Sequence, residues 1–259
     1  MLRKPLGLLG IFLIVVGFGY FVGAGVAYGK VQGGYTALQS FSEVQNVELS
    51  YNDDGQLVDR GEVEGGLAIR ALLEDDWGFP TVESDLDPND PLVNTATEYM
   101  YQMATISFHT LHGVQVVTLT EADLTGDDGK VATEFDCNGE MVAVPDPFPA
   151  EGVTCDFNVD GRYWTGFDRS VPVEAAARDM AWSGTAHALV AELGVGAATH
   201  STLQLALGVA ALLAGLGVVC TAMGVAFIWD TRRKGKVIVP DTIPEALLAD
   251  NPGKVTATA

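Results

Sequence analysis

Two stretches of the chain carry no charge at all. From Pro5 to Tyr28 there are 24 consecutive uncharged residues, with an apolar run from Leu8 to Val16. From Leu193 to Trp229 there are 37, the most hydrophobic part being Leu203 to Trp229. A helix crossing the hydrocarbon core of a bilayer needs about 20 apolar residues at about 1.5 Å each. The first stretch is therefore long enough to span, and the second exceeds what a span requires. The pattern predicts transmembrane helices at residues 5–28 and 201–229, with the segment through Gly194, Gly196 and His200 outside the membrane or at its surface.

Between them the pattern is that of a folded domain. Val31–Ser42 continues the first helix. Val47–Tyr51 and Gln56–Val58 read as strands around the turn Asn52-Asp53-Asp54-Gly55. Leu67, Ile69, Leu72 and Leu73 have helical spacing within Glu64–Leu73, and Ser84–Pro91 is a polar loop. Thr95–Leu111 reads as a helix opened by a Thr95-x-x-Glu98 capping box, with Tyr99, Met100, Met103, Ile106 and Phe108 on its apolar positions. Val114–Thr120 and Phe157–Trp164 read as strands. Gly126-Asp127-Asp128-Gly129 is a hairpin-like loop between them, and Glu174–Leu193 reads as one amphipathic helix. The fold class expected is α+β, with two transmembrane helices flanking one mixed extracytoplasmic domain. The organisation expected is a cytoplasmic N-terminus at 1–4, spans at 5–28 and 201–229, the domain at 29–200, and a disordered cytoplasmic tail at 230–259, where Pro240, Pro244 and Pro252 lie.

Charge gives the orientation. The 259 residues hold 14 basic and 34 acidic side chains, a formal net charge of −20. Val31–Glu192 has 6 basic against 30 acidic residues, a net of −24, and the remainder carries +4. Arg3 and Lys4 precede the first span; Arg232, Arg233, Lys234 and Lys236 follow the second. By the positive-inside rule both termini face the cytoplasm of a plasma membrane and the acidic domain lies outside, with Lys30 dissenting. A cleaved signal peptide ending near Gly25-Val26-Ala27 is the alternative for the first span; its apolar core is longer than the usual 7–15 residues. So acidic a chain is unsuited to nucleic acid, whose phosphates call for a basic surface.

Cys137 and Cys155 fall in the exported part, around a loop with Pro145, Pro147, Pro149 and Gly152, and are expected to form a disulfide. Cys220 falls within the second span as a small packing residue. Gly19 and Gly23 form a GxxxG pair, Gly25 and Gly29 another, and Ala206, Ala210 and Ala214 recur every fourth residue of the second span. These faces suit close packing, between the two helices or against a partner.

Candidate chemistry is sparse. His109 and His112 stand one turn apart and, with His187 or His200, would supply imidazoles suited to zinc, copper or haem, although no HExxH or Cys cluster accompanies them. The Asp85–Asp90 loop offers oxygen ligands to calcium but departs from the EF-hand at its sixth and twelfth positions, Asp90 and Ala96; Asp127-Asp128 is a lesser candidate. Asp179, Ser183 and His187 are the residue types of a serine hydrolase, but they lie along one helix stripe rather than on converging elements. Gly194-x-Gly196 and Gly126-x-x-Gly129-Lys130 complete neither a Rossmann fingerprint nor a P-loop. No cofactor is expected.

Several segments together resemble a group of uncharacterised actinobacterial two-helix membrane proteins. They are Ser50-Tyr51-Asn52-Asp53-Asp54-Gly55-Gln56-Leu57-Val58-Asp59-Arg60-Gly61, Asp87-Pro88-Asn89-Asp90-Pro91-Leu92-Val93, Tyr99-Met100-Tyr101-Gln102-Met103-Ala104-Thr105, His109-Thr110-Leu111-His112-Gly113 and Asp160-Gly161-Arg162-Tyr163-Trp164. The resemblance covers most of residues 1–229 and implies a Gram-positive envelope setting. Some members bear the label of aromatic ring-opening dioxygenase, a chemistry needing an iron-binding set that is not evident in this chain. The function expected is a non-enzymatic accessory or interaction component of a membrane or envelope complex. Its partners would be the lipid bilayer and other membrane proteins or a second copy. The alternative is a metal- or haem-binding redox or enzyme module using His109 and His112.

Overall fold

The computed structural model describes residues 3–233; the tail expected beyond them lies outside the described residues. Among the described residues five α-helices and four strands run in the order α1 (Arg3–Gln45), α2 (Val63–Ala71), α3 (Ala96–Leu111), β1 (Val114–Leu119), β2 (Glu134–Cys137), β3 (Glu140–Ala143), β4 (Val153–Asn158), α4 (Pro172–Ala181) and α5 (Gly184–Arg232). The fold is α+β, and α1 and α5 are both long and apolar enough to cross a membrane. The chain divides into two compact units, one formed by the stretches up to Val26 and from Ala210, the other by Ala27–Val209.

In the first unit the outer parts of α1 and α5 run antiparallel at very close range. A methyl group placed on Gly10 would lie 2.7 Å from the Gly224 carbonyl oxygen, and one on Gly17 would lie 2.9 Å from that of Gly217. Ala24 and Ala210 are buried along the same seam. The seam thus uses Gly10, Gly17 and Ala24 on α1 and Ala210, Gly217 and Gly224 on α5, a spacing of seven in each helix. Of the residues expected to pack, Ala210 is buried and a methyl group placed on Gly23 would lie 3.8 Å from Leu213, while Gly19 has open space beside it. Ala206 and Ala214 are half-buried. Leu8, Phe12, Val15 and Phe18 face outward.

The second unit is organised around α3. Its N-terminus carries the capping box read from the sequence: Thr95 Oγ1 accepts the Glu98 N–H at 3.3 Å and Glu98 Oε2 accepts the Thr95 N–H at 2.8 Å. Tyr99, Tyr101, Ala104 and Leu111 of α3 join Ile69, Leu72 and Leu73 in the core. β1 pairs antiparallel with β4 from Val114↔Asn158 to Leu119↔Val153, and their inward residues Val117, Leu119, Cys155 and Phe157 bury against Val173 and Ala177 of α4. β2 and β3 form a hairpin across Asn138-Gly139, whose φ values of 57° and 83° suit the turn geometry that matches strand twist. The Cys137–Cys155 disulfide ties this hairpin to β4, with Cα atoms 5.9 Å apart.

Several expected elements are redrawn. Val47–Tyr51 and Gln56–Val58 make only isolated bridges, Glu48↔Leu92 and Tyr51↔Leu57. Asn52 Oδ1 accepts the N–H groups of Asp54 and Gln56, closing the turn too tightly for a longer ladder. The strand expected at Phe157–Trp164 lies earlier, because Asp160 and Gly161 have φ values of 48° and 73° and turn the chain away. The single helix expected at Glu174–Leu193 is two, broken at Trp182, where the Ser183 hydroxyl accepts the Ala186 N–H and caps the new helix.

Candidate functional site

The inner segments of α1 and α5 meet α3 at Tyr99. From α1, Ser42 shares a 2.9 Å hydrogen bond with the Tyr99 hydroxyl. From α5, Gly196 lies against the Tyr99 ring so closely that a methyl group there would come within 2.6 Å of it. One helical turn further, His200 Nδ1 accepts the N–H of Ala96 at 3.1 Å. That amide belongs to the first turn of α3, where no carbonyl of the same helix is available to it. His200 is 8% exposed and meets the Tyr35 ring edge-on at 5.5 Å.

Beside this junction the three helices enclose a cleft of about 250 Å³. Its apolar lining includes Phe41, Val93, Ile106, Leu189 and Leu193; Gln45, Gln102 and Glu192 supply polar groups and no basic residue lines it. The helical spacing explains the convergence: Tyr99, Gln102 and Ile106 share one face of α3, and Leu189, Glu192 and Leu193 one face of α5. An engineered cavity of about 150 Å³ holds benzene, and drug-sized pockets begin near 300 Å³. This cleft therefore suits one or two bulky apolar side chains.

Burial sets the ionisation of the neighbouring groups. Glu98 is 2% exposed and its carboxyl is pushed up by desolvation, against the pull of N–H bonds from Asn94 and Thr95. Burial pushes the His200 imidazole down, the nearby Asp85 acting in the opposite sense. Tyr51 is pushed up to about 12, chiefly by burial, and its buried hydroxyl has no hydrogen-bond partner among the described residues.

The four histidines do not meet as a set. His109 Nε2 bonds Asp59 Oδ1 at 2.9 Å, and His112 Nδ1 donates to the Phe108 carbonyl at 2.9 Å. His187 Nδ1 donates to the Ser183 carbonyl while its ring packs on Trp164 and Trp182. Among the described residues no three His, Cys, Asp or Glu side chains gather as a metal-holding group. In the Asp85–Asp90 loop, Asp87 Oδ1 accepts both the backbone and side-chain N–H of Asn89, which hold its carboxyl below the usual range. Asp128 Oδ1 likewise accepts the Lys130 N–H. Asp179 pairs with Arg178, and Ser183 serves as a helix cap, so Asp179, Ser183 and His187 form no relay.

Ser42, Tyr99, Gly196 and His200 are the residues that sequence reasoning passes over as a group. The available signal was Gly196 four residues before His200 on one helix face, a small residue and a polar one turned to the same neighbour. Comparison with protein families, curated proteins and solved structures finds no match.

Proposed function

We propose that this protein is a plasma-membrane component of the Gram-positive envelope that binds another membrane protein rather than performing catalysis. Its helices α1 and α5 span the bilayer, both termini are cytoplasmic, and the acidic domain is outside. The partner inserts an apolar side chain or two into the α1–α3–α5 cleft and sets a basic residue against Glu192. The observation that carries this reading is the cleft itself: apolar walls, a polar rim that includes the acid Glu192, and a volume on the scale of side chains. The acidic balance of Val31–Glu192 favours a cationic flank on the partner.

The reading is tested in cells with a photo-reactive amino acid in place of Gln102. A discrete protein adduct is expected, lost in Phe41→Glu and in Leu189→Glu, both half-exposed positions that tolerate a charge. An adduct indifferent to both substitutions, or none at all, overturns the proposal.

A further inference from the structure

The bond between His200 and Ala96 works in only one protonation state. Nδ1 must present its lone pair to the amide, so the ring is the tautomer protonated at Nε2 or no bond forms. A second proton would turn Nδ1 into a donor facing another donor. It would also set a cation at the N-terminus of α3, where the helix dipole favours negative charge. With the ring 8% exposed, little water is at hand to replace the lost acceptor.

We propose that His200 is an acid-operated latch that regulates the α1–α3–α5 cleft, an inference that rests on the cleft being the binding site. The same helix that carries His200 carries Leu189, Glu192 and Leu193 of the cleft wall, and α3 carries Tyr99, Gln102 and Ile106 opposite. At neutral pH the latch holds these two walls together. As pH falls, protonation of His200 removes the acceptor, α5 comes away from the start of α3, and the grip on an inserted side chain weakens.

The surroundings set the direction. From α1 the ring faces Tyr35, which stays neutral at acid pH. From the short helical turn at Glu83–Asp85, Asp85 raises the imidazole's proton affinity; burial, the larger influence, lowers it. From α3, Glu98 is occupied by the N–H groups of Asn94 and Thr95. The folded pKa is thus depressed, so the latch is fully closed above the ordinary histidine value of about 6.5 and is lost as pH falls below it.

Hydrogen exchange of the full chain in lipid nanodiscs, corrected for intrinsic rates, reads the Ala96 amide directly. Between pH about 7.5 and about 5.5, protection at Ala96 is expected to fall severalfold, up to the limit of about tenfold that one histidine titrating near 6.5 when exposed can impose. In His200→Asn the amide oxygen takes the place of Nδ1 and does not titrate, so protection is expected to persist at both pH values; Glu98→Gln should retain the acid loss. Unchanged protection in the parent protein overturns the latch, as does an equal acid loss in His200→Asn. If His200→Asn is unprotected throughout, ¹⁵N-histidine NMR of the parent decides. An unprotonated Nδ1 at neutral pH, with a titration matching the exchange midpoint, sustains the proposal; a protonated Nδ1 overturns it. None of these readouts requires a partner, so a failed cross-link from Gln102 and a failed latch are separate results.

Discussion

Tyr101 is nearly fully buried and its hydroxyl donates to the Gly66 carbonyl at 3.2 Å. Burial raises its ionisation above the ordinary range, and Asp59 adds to the effect. Tyr51 is raised to about 12 for the same leading reason. Both side chains are neutral in the fold, whereas an unfolded tyrosine ionises near 10. Stability is therefore unaffected by these groups below pH about 10 and falls as pH rises through the interval up to about 12. Chemical unfolding in detergent across this interval should show the decline, with a shallower slope for Tyr101→Phe, which itself costs about 1 kcal/mol at neutral pH. At this scale the sequence is legible where one local rule decides. Thr95-x-x-Glu98 announces its own cap because both partners lie within a single turn. Asn138-Gly139 is the strongest short hairpin signal in the chain, and only the lack of long flanking alternation conceals it. His200 is illegible alone, since its meaning depends on Ala96, 104 residues away.

The helical elements follow from uncharged length, but their contact face does not follow from four-residue spacing. Gly19 and Gly23 satisfy the usual small-residue pattern, yet the close approach is made at Gly10 and Gly17. Residues four apart drift by about 40° around a helix, while residues seven apart drift by only about 20°. Two antiparallel helices touching over several turns thus keep their seam on the seven-residue period. Gly17→Leu should separate the pair, because the new side chain would have to occupy the space of the Gly217 carbonyl and the Thr221 side chain. The readout is disulfide formation between Gly7→Cys and Thr231→Cys, since a methyl group placed on Gly7 would lie 3.8 Å from the Thr231 side chain. Gly17→Leu should lower the yield severalfold and Gly19→Leu should leave it unchanged. The short strands are less legible: β2 and β3 have four residues each, and β3 is exposed throughout, so no alternation of burial marks it.

For the molecule as a whole, the separation of charge along the sequence is the feature from which the proposed placement is argued. The acidic balance of Val31–Glu192 and the arginines at the end of α5 predict opposite sides of a membrane. In a Cys220→Ala background, Asp127→Cys should react with an impermeant maleimide on intact cells, and Arg233→Cys only after permeabilisation; the reverse pattern would invert the topology. The glycine seam carries one more consequence. Because both helices repeat small residues every seventh position, deleting one such repeat from each would shorten the hairpin by about 10 Å while returning the remaining glycines to the same mutual facing. The pair is graduated like a ruler, and its length changes without disturbing the seam only in whole divisions.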